Sequence, residues 1–209
     1  MSQNFLNKKI ILNNLFQKKL IILPIINSTN QYLLDKIQTL QLGYACIAEH
    51  QTHGRGKYGR KWISSYGKDL CLSLYWHLNK KIKKTEYLSI IVSLITKNIL
   101  KKLGINEIKI KWPNDLYLHN KKLAGILIEC YNNTKNTTDI IIGIGINVNI
   151  KKNIKNYIFQ KNWINLQETG IKIDRNILAA KLINILRIEL QQFEKKYKNF
   201  SFINQINQT

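Results

Sequence analysis

The fourteen residues from Glu49 to Trp62, E-H-Q-T-H-G-R-G-K-Y-G-R-K-W, restrict the fold of this chain more than any other stretch. They gather three of its ten glycines together with Arg55, Lys57, Arg60 and Lys61. Such a segment carries too little apolar surface to offset the entropy of ordering it, and glycine raises that entropy further. It must therefore be a loop whose ends are held by packed elements. Gly54, Gly56 and Gly59 let backbone N–H groups approach a ligand closely and the cations supply charge, so the segment can wrap an anion. A solvated basic turn is the simpler reading of a Gly/Lys loop, and a second basic motif downstream weighs against it.

The rest of the chain can supply the support. At 209 residues, with 44% hydrophobic residues and four Trp, it is long enough to bury one real core, and disorder is excluded. The 33 Lys and Arg against 12 Asp and Glu give a net charge of +21, a balance that ordinarily points to nucleic acid or a membrane surface. Here the excess is spread along the whole chain with equally heavy Asn and Ile, the mark of a composition bias, so it identifies no partner. Cys46, Cys71 and Cys130 are odd in number and lie in apolar, strand-like runs. They indicate buried thiols in a reducing cytoplasm, not disulfides or a zinc site. Leu20 to Ile26 is too short for an export signal, contains Pro24 and lacks a cleavage site, and no run reaches transmembrane length.

Periodicity places the elements. A short helix falls near Ile10 to Phe16, and Leu20 to Ile26 reads as a buried strand. Ser28-Thr29-Asn30-Gln31 forms a capping box that opens a helix to about Leu40. Tyr44 to Glu49 is a strand that delivers the chain into the glycine loop; Leu70 to Leu78 is the next, after a turn at Ser64 to Asp69. Thr85 caps a helix with Leu88, Ile91, Val92, Ile95, Ile99 and Leu103 at helical spacing and Gly104 as its stop. Glu107 to Lys111 is a short strand running into Trp112-Pro113-Asn114-Asp115, where the proline ends pairing. Leu116 to Leu118 and Lys122 to Cys130 read as a hairpin about His119-Asn120-Lys121. Asp139 to Asn147, D-I-I-I-G-I-G-I-N, is a strand whose interior glycines imply close approach to its backbone. A long helix runs from Asp174 to about Tyr197. This order predicts one α+β domain, residues 1–209, with helices against a mixed, largely antiparallel sheet.

Two nucleotide motifs are matched only formally. Gly54-Arg55-Gly56-Lys57-Tyr58-Gly59 fits G-x-G-x-x-G, but no helix follows and no acidic residue stands at the ribose distance. In a phosphate-loop alignment Arg60 takes the place of the lysine and Lys61 that of the Ser/Thr. What remains is a series of pieces: S-T-N-Q at 28–31, the loop at 49–62, K-W-P-N-D at 111–115, K-K-L-A-G-I-L-I-E at 121–129 and G-I-G-I-N at 143–147. In this order they closely resemble the catalytic domain of the biotin-protein ligases, from about Leu20 to Ile203, behind an N-terminal extension of residues 1–19.

The resemblance implies a fold like that of biotin and lipoate ligases and class II aminoacyl-tRNA synthetases. It implies that biotin and ATP, with Mg²⁺, give biotinyl-5'-adenylate, and that biotin then passes to a lysine of a biotin carboxyl carrier protein in the cytoplasm. Matched position by position, Ser28, Thr29, Asn30 and Gln51 surround the biotin head group, joined by the loop backbone at Arg55, Gly56 and Lys57, while Gly143 and Gly145 leave room beside the rings. Lys122 holds the biotin carboxylate and the adenylate phosphate, and Arg55, Lys57 and Arg60 close over the phosphates. Trp62 flanks the adenine side, Asn147 lies near the nucleotide and Asp115 sits at the reaction centre. Catalysis is thereby assigned to Lys122, Arg55 and Asp115, and no magnesium ligand is identified.

Departures qualify the expectation. Many members have arginine where Lys57 stands, and lysine lacks the planar fork. Members that bind DNA carry a winged helix before this region, for which residues 1–19 are too short, so no DNA binding is expected. Members also commonly end in a small β-barrel, which would begin near Thr209. Monomer and homodimer both remain open. A lipoate or octanoate ligase or transferase of the same fold is the nearest alternative, and a basic nucleic-acid-binding module a more distant one.

Overall fold

The structure, a computed structural model, describes residues 5–79, 85–134, 136–149 and 162–199. Residues 1–4 and the end of the matched region, 200–203, lie outside them. The helices are α1 (Lys8–Asn13), α2 (Thr29–Asp35), α3 (Thr85–Lys102) and α4 (Arg175–Asn199). The strands are β1 (Leu20–Ile26), β2 (Ala45–Gln51), β3 (Asp69–Leu78), β4 (Lys109–Lys111), β5 (Asp115–Leu118), β6 (Lys121–Thr134) and β7 (Thr137–Asn147). These seven form one sheet in the order β1-β2-β3-β7-β6-β5-β4. Only β1 and β2 pair in parallel; all the other neighbours are antiparallel. The fold is the expected α+β class.

Alternation along the strands gives the sheet two unlike faces. Ile140, Ile142, Ile144 and Ile146 of β7 lie beside Leu70, Leu72 and Leu74 of β3 and Ala124, Ile126 and Ile128 of β6, all buried in the main core. Leu88, Val92 and Ile99 of α3 and Leu178, Leu182 and Leu186 of α4 close that core. Each such Leu or Ile contributes roughly 1.5–3 kcal/mol on burial, so this face fixes the register. The residues between them point the other way. Gly143 pairs with Ser73 and Leu127, and Gly145 with Cys71 and Gly125, so apart from Leu127 a strip of small residues runs across three strands. A smaller cluster around Leu33, Cys46, Tyr75 and Ile141 covers one end of that strip beneath α2 and leaves the other end open.

Several boundaries differ from expectation. α2 stops at Asp35, five residues before Leu40, because the chain goes on in tight turns closed by Lys36 N to Leu33 O and Thr39 N to Lys36 O bonds. Ile37 and Leu40 still pack against the smaller cluster. Only half of the capping box forms. Ser28 Oγ accepts from Gln31 N at 3.4 Å, but the Gln31 side chain turns to Asp35 and Arg55. β4 begins at Lys109, after Glu107 at φ +60. His119 and Asn120 both have positive φ and make the whole hairpin turn, so Lys121 already belongs to β6. The N-terminal extension is integral to the fold, since Ile11 and Leu15 enter the main core.

Two buried arginines anchor the segments around the open strip. Arg175 donates to Glu49 Oε2 and to the Asp69 carbonyl, each at 2.6 Å, where β2 gives way to the glycine loop. Arg187 donates to the carbonyls of Gly43, Gln17 and Lys19. Burial pushes its guanidinium down to about 10, as expected for a charge withdrawn from water with only neutral acceptors.

Candidate active site

The loop leaves β2 at Gln51 and is closed at its base, where Gln51 N donates to Ser64 Oγ at 2.8 Å. Within it Trp62 N donates to Gly54 O and Gly56 N to Arg60 O, and a tight turn at Lys57–Gly59 puts Tyr58 at φ 57. The loop folds over the open strip and encloses a cleft of about 460 Å³. The fourteen residues given roles by sequence all line it: Ser28, Thr29, Asn30 and Gln51 at one end; Arg55, Gly56, Lys57, Arg60 and Trp62 on the loop; and Asp115, Lys122, Gly143, Gly145 and Asn147 on the strands.

At the α2 end the cleft wall is a continuous hydrogen-bonded array. Gln51 Oε1 accepts from Thr29 N at 2.7 Å and Thr29 Oγ1 at 3.0 Å. Ser73 Oγ lies 2.7 Å from Thr29 Oγ1 and 2.5 Å from Asn30 Oδ1. Asn30 Nδ2 donates to Glu129 Oε2 at 2.8 Å. Buried polar groups without partners are costly, so such an array holds each member in one orientation. Ser28 caps α2 as expected.

The glycines make room, but for protein atoms. A Cβ on Gly143 would stand 2.4 Å from Asn30 Oδ1, and one on Gly145 would stand 2.4 Å from Cε2 of the Trp62 indole. The space expected beside the ligand's rings is thus taken up at these two positions by Asn30 and Trp62. The Trp62 ring also lies 5.9 Å from Lys122 Nζ, within cation–π range.

The cations divide into two sets. Arg55 donates to Gln31 Oε1 at 2.8 Å and to Glu129 at 2.7 Å, so its guanidinium bridges α2 and β6. Lys57 reaches Ser89 Oγ of α3 at 3.3 Å. Burial pushes its ammonium below the usual lysine range, opposed by the charges of Glu86 and Asp115. Arg60 stacks on Tyr58 at the rim. On the strand side Lys122 Nζ pairs with Asp115 Oδ2 at 2.8 Å. Asn147 Nδ2 donates to the carbonyls of Lys122 and Ile164, tying residues 162–164 to the start of β6. Its contacts are to backbone, and through them Asn147 brings Trp163 to the cleft.

Sequence reasoning missed Trp163, Asn114, Tyr117, Ser73 and Glu129. The first three line the cleft, and the last two fix residues that do. Asn114 lies inside K-W-P-N-D and Glu129 ends K-K-L-A-G-I-L-I-E, a signal that could have found these two, whereas Ser73 and Trp163 stand well outside every recognised piece. Among the described residues there is no cluster of three side chains suited to hold a metal, and Asp115 is the one carboxylate on the cleft wall. That donor set suits a hard cation arriving with phosphate oxygens better than a resident metal.

The geometry defines a class: a closed hydrogen-bonding pocket at one end, cations and a carboxylate at the other, and a glycine loop above. The sequence profile of the biotin/lipoate A/B protein ligase family matches residues 22–147, and the chain belongs to that family. It is 46% identical over 191 residues to the bifunctional ligase/repressor BirA of Escherichia coli (strain K12), an alignment covering 91% of this chain and 59% of that protein. To the protein of the same name from Bacillus subtilis (strain 168) it is 34% identical over 164 residues, covering 76% and 47%. The chain thus spans about half the length of these relatives. Among solved structures, the biotin protein ligase of Aquifex aeolicus in complex with biotin and ATP superposes with a TM-score of 0.72 at 33% identity, covering 86% of this chain and 73% of that one. No helix among the described residues is long and apolar enough to cross a membrane.

Proposed function

We propose that this chain carries the catalytic activity of a biotin-protein ligase acting in the cytoplasm. The observation that carries the reading is a cleft lined both by the hydrogen-bonded Thr29, Asn30 and Gln51 and by Lys57, Arg60, Lys61, Lys122 and Asp115. A head group rich in amide donors and acceptors suits the first end, and a carboxylate meeting a triphosphate suits the second. Ser28, Thr29 and Gln51, with the backbone of Arg55 and Gly56, take the biotin head. Lys122 takes its carboxylate, and Lys57 and Arg60 take the phosphates.

In the first step a biotin carboxylate oxygen bonds to the α-phosphorus of ATP while the bond to the bridging oxygen breaks and pyrophosphate leaves. Two anions must meet. At 4 Å and an effective dielectric of 20 each unit repulsion costs about 4 kcal/mol, so fixed cations on both sides of the reacting atoms decide the rate. Mg²⁺ supplies further charge when it enters with the nucleotide, with Asp115 the cleft carboxylate able to meet it. In the second step the neutral amine of a lysine on a biotin carboxyl carrier protein attacks the acyl carbon and AMP leaves. Deprotonating an ordinary lysine at pH 7 costs roughly 4–5 kcal/mol. Asp115, released when Lys122 grips the phosphate, can orient that amine or take its proton.

The test is incubation with biotin, ATP, Mg²⁺ and a carboxyl-carrier domain, followed by detection of biotin on one acceptor lysine. No biotinylation, together with a melting shift produced by lipoate and not by biotin, would transfer the reading to the lipoate branch of the family.

A further inference from the structure

Glu129 stands where the loop, α2 and β6 meet, and the proposed chemistry gives it no part. Its Oε2 accepts from Arg55 Nη2 at 2.7 Å and from Asn30 Nδ2 at 2.8 Å. Both donors are committed by this one oxygen. With Nδ2 turned to Glu129, Asn30 must turn Oδ1 to Ser73, which orders the array that runs on through Thr29 to Gln51. Its guanidinium is held by Glu129 and by Gln31, and Arg55 and Gly56 both line the cleft.

We propose that Glu129 is a positioning residue of the head-group pocket: it fixes Arg55 and Asn30 and, by neutralising Arg55, leaves uncompensated positive charge only at the opposite end of the cleft. The inference rests on the ligase reading and deepens it. A ligand with a neutral polar head and an anionic tail then has one favourable orientation, with its tail toward Lys57, Arg60 and Lys122. Fold stability does not account for the pair. The two side chains are 36% and 23% exposed, and ion pairs this open to water add little to stability. A glutamine there keeps an oxygen able to accept but removes the charge that neutralises Arg55, and its amide N–H group adds a donor beside a guanidinium.

The experiment compares wild type, Glu129→Gln and Glu129→Asp by biotin-dependent ATP–pyrophosphate exchange and by hydrogen exchange over residues 54–62 without ligand. Expected for Glu129→Gln are a biotin KM raised about tenfold, an ATP KM and a kcat within about twofold of wild type, and faster exchange at the loop root. Glu129→Asp, which keeps the charge, falls between the two. In an Arg55→Gln background, adding Glu129→Gln raises the biotin KM little further, because the two act as a unit. A biotin KM unchanged in Glu129→Gln, or biotin and ATP KM raised by the same factor, overturns the proposal. So does a lowered melting temperature with the biotin KM unmoved, the mark of a structural part alone. Wild-type protein that gives no exchange at all removes the ligase reading instead, and unchanged loop protection in Glu129→Gln then still refutes the part given to Glu129.

Discussion

At the scale of single residues, the site depends on what is missing as much as on what is present. Gly143→Ala would drive a methyl to 2.4 Å from Asn30 Oδ1. Overpacking of this kind costs about 1–3 kcal/mol, and Asn30 can yield only by breaking its bonds to Ser73 and Glu129. The expected result is a biotin KM raised about tenfold or more with the ATP KM little changed, read by pyrophosphate exchange. Asp115→Asn keeps the side chain's size and removes its charge, so transfer from preformed adenylate to the acceptor should fall by about 10²–10⁴. Transfer at the wild-type rate would take Asp115 out of the second step. Motif matching found these residues because each occupies a fixed place in a recognised piece. It could not find Ser73, whose hydroxyl matters only because register sets it opposite Gly143.

At the scale of elements, the loop is the part whose behaviour ligands must change. Its short bonds close it on itself, and outside the cleft it is held chiefly by Arg55 to Glu129 and Gln31 and by Lys57 to Ser89. Tyr58 at its tip is 86% exposed. Without ligand, protease cleavage between Gly54 and Trp62 should therefore be fast, and biotin with ATP should slow it several-fold as the cations gain partners. Cleavage unaffected by both ligands would refute the closing role. The loop's existence was legible from its glycines and charges, whereas the commitment of Arg55 to the sheet side was not. A guanidinium placed by a carboxylate 74 residues away leaves no local mark in sequence.

At the scale of the whole molecule, the three thiols follow the burial of the sheet. Burial pushes Cys46 and Cys71 up to about 12 and Cys130 to about 11, from an ordinary value of 9.0. Below pH 9 the thiols are protonated in both folded and unfolded chains and contribute no pH dependence. Above it the unfolded chain loses thiol protons that the folded chain keeps, so stability falls as pH rises from 9 toward those values. Denaturant melts at pH 8, 9.5 and 10.5 check the sign. Replacing all three cysteines with alanine should flatten the alkaline limb, and an unchanged slope would refute it. The sequence by itself determined the periodic elements, the class of sheet and the pieces of the site, because hydrophobic alternation, caps and glycine loops act within a few residues. Only the tertiary structure decided that the even positions of β7 build the main core while Gly143, Gly145 and Asn147 floor a cleft, that Asn30 and Trp62 occupy the room two glycines leave, and which cations remain free. Those outcomes depend on register and on charge pairs between distant segments, and such contacts form only once the sheet has closed.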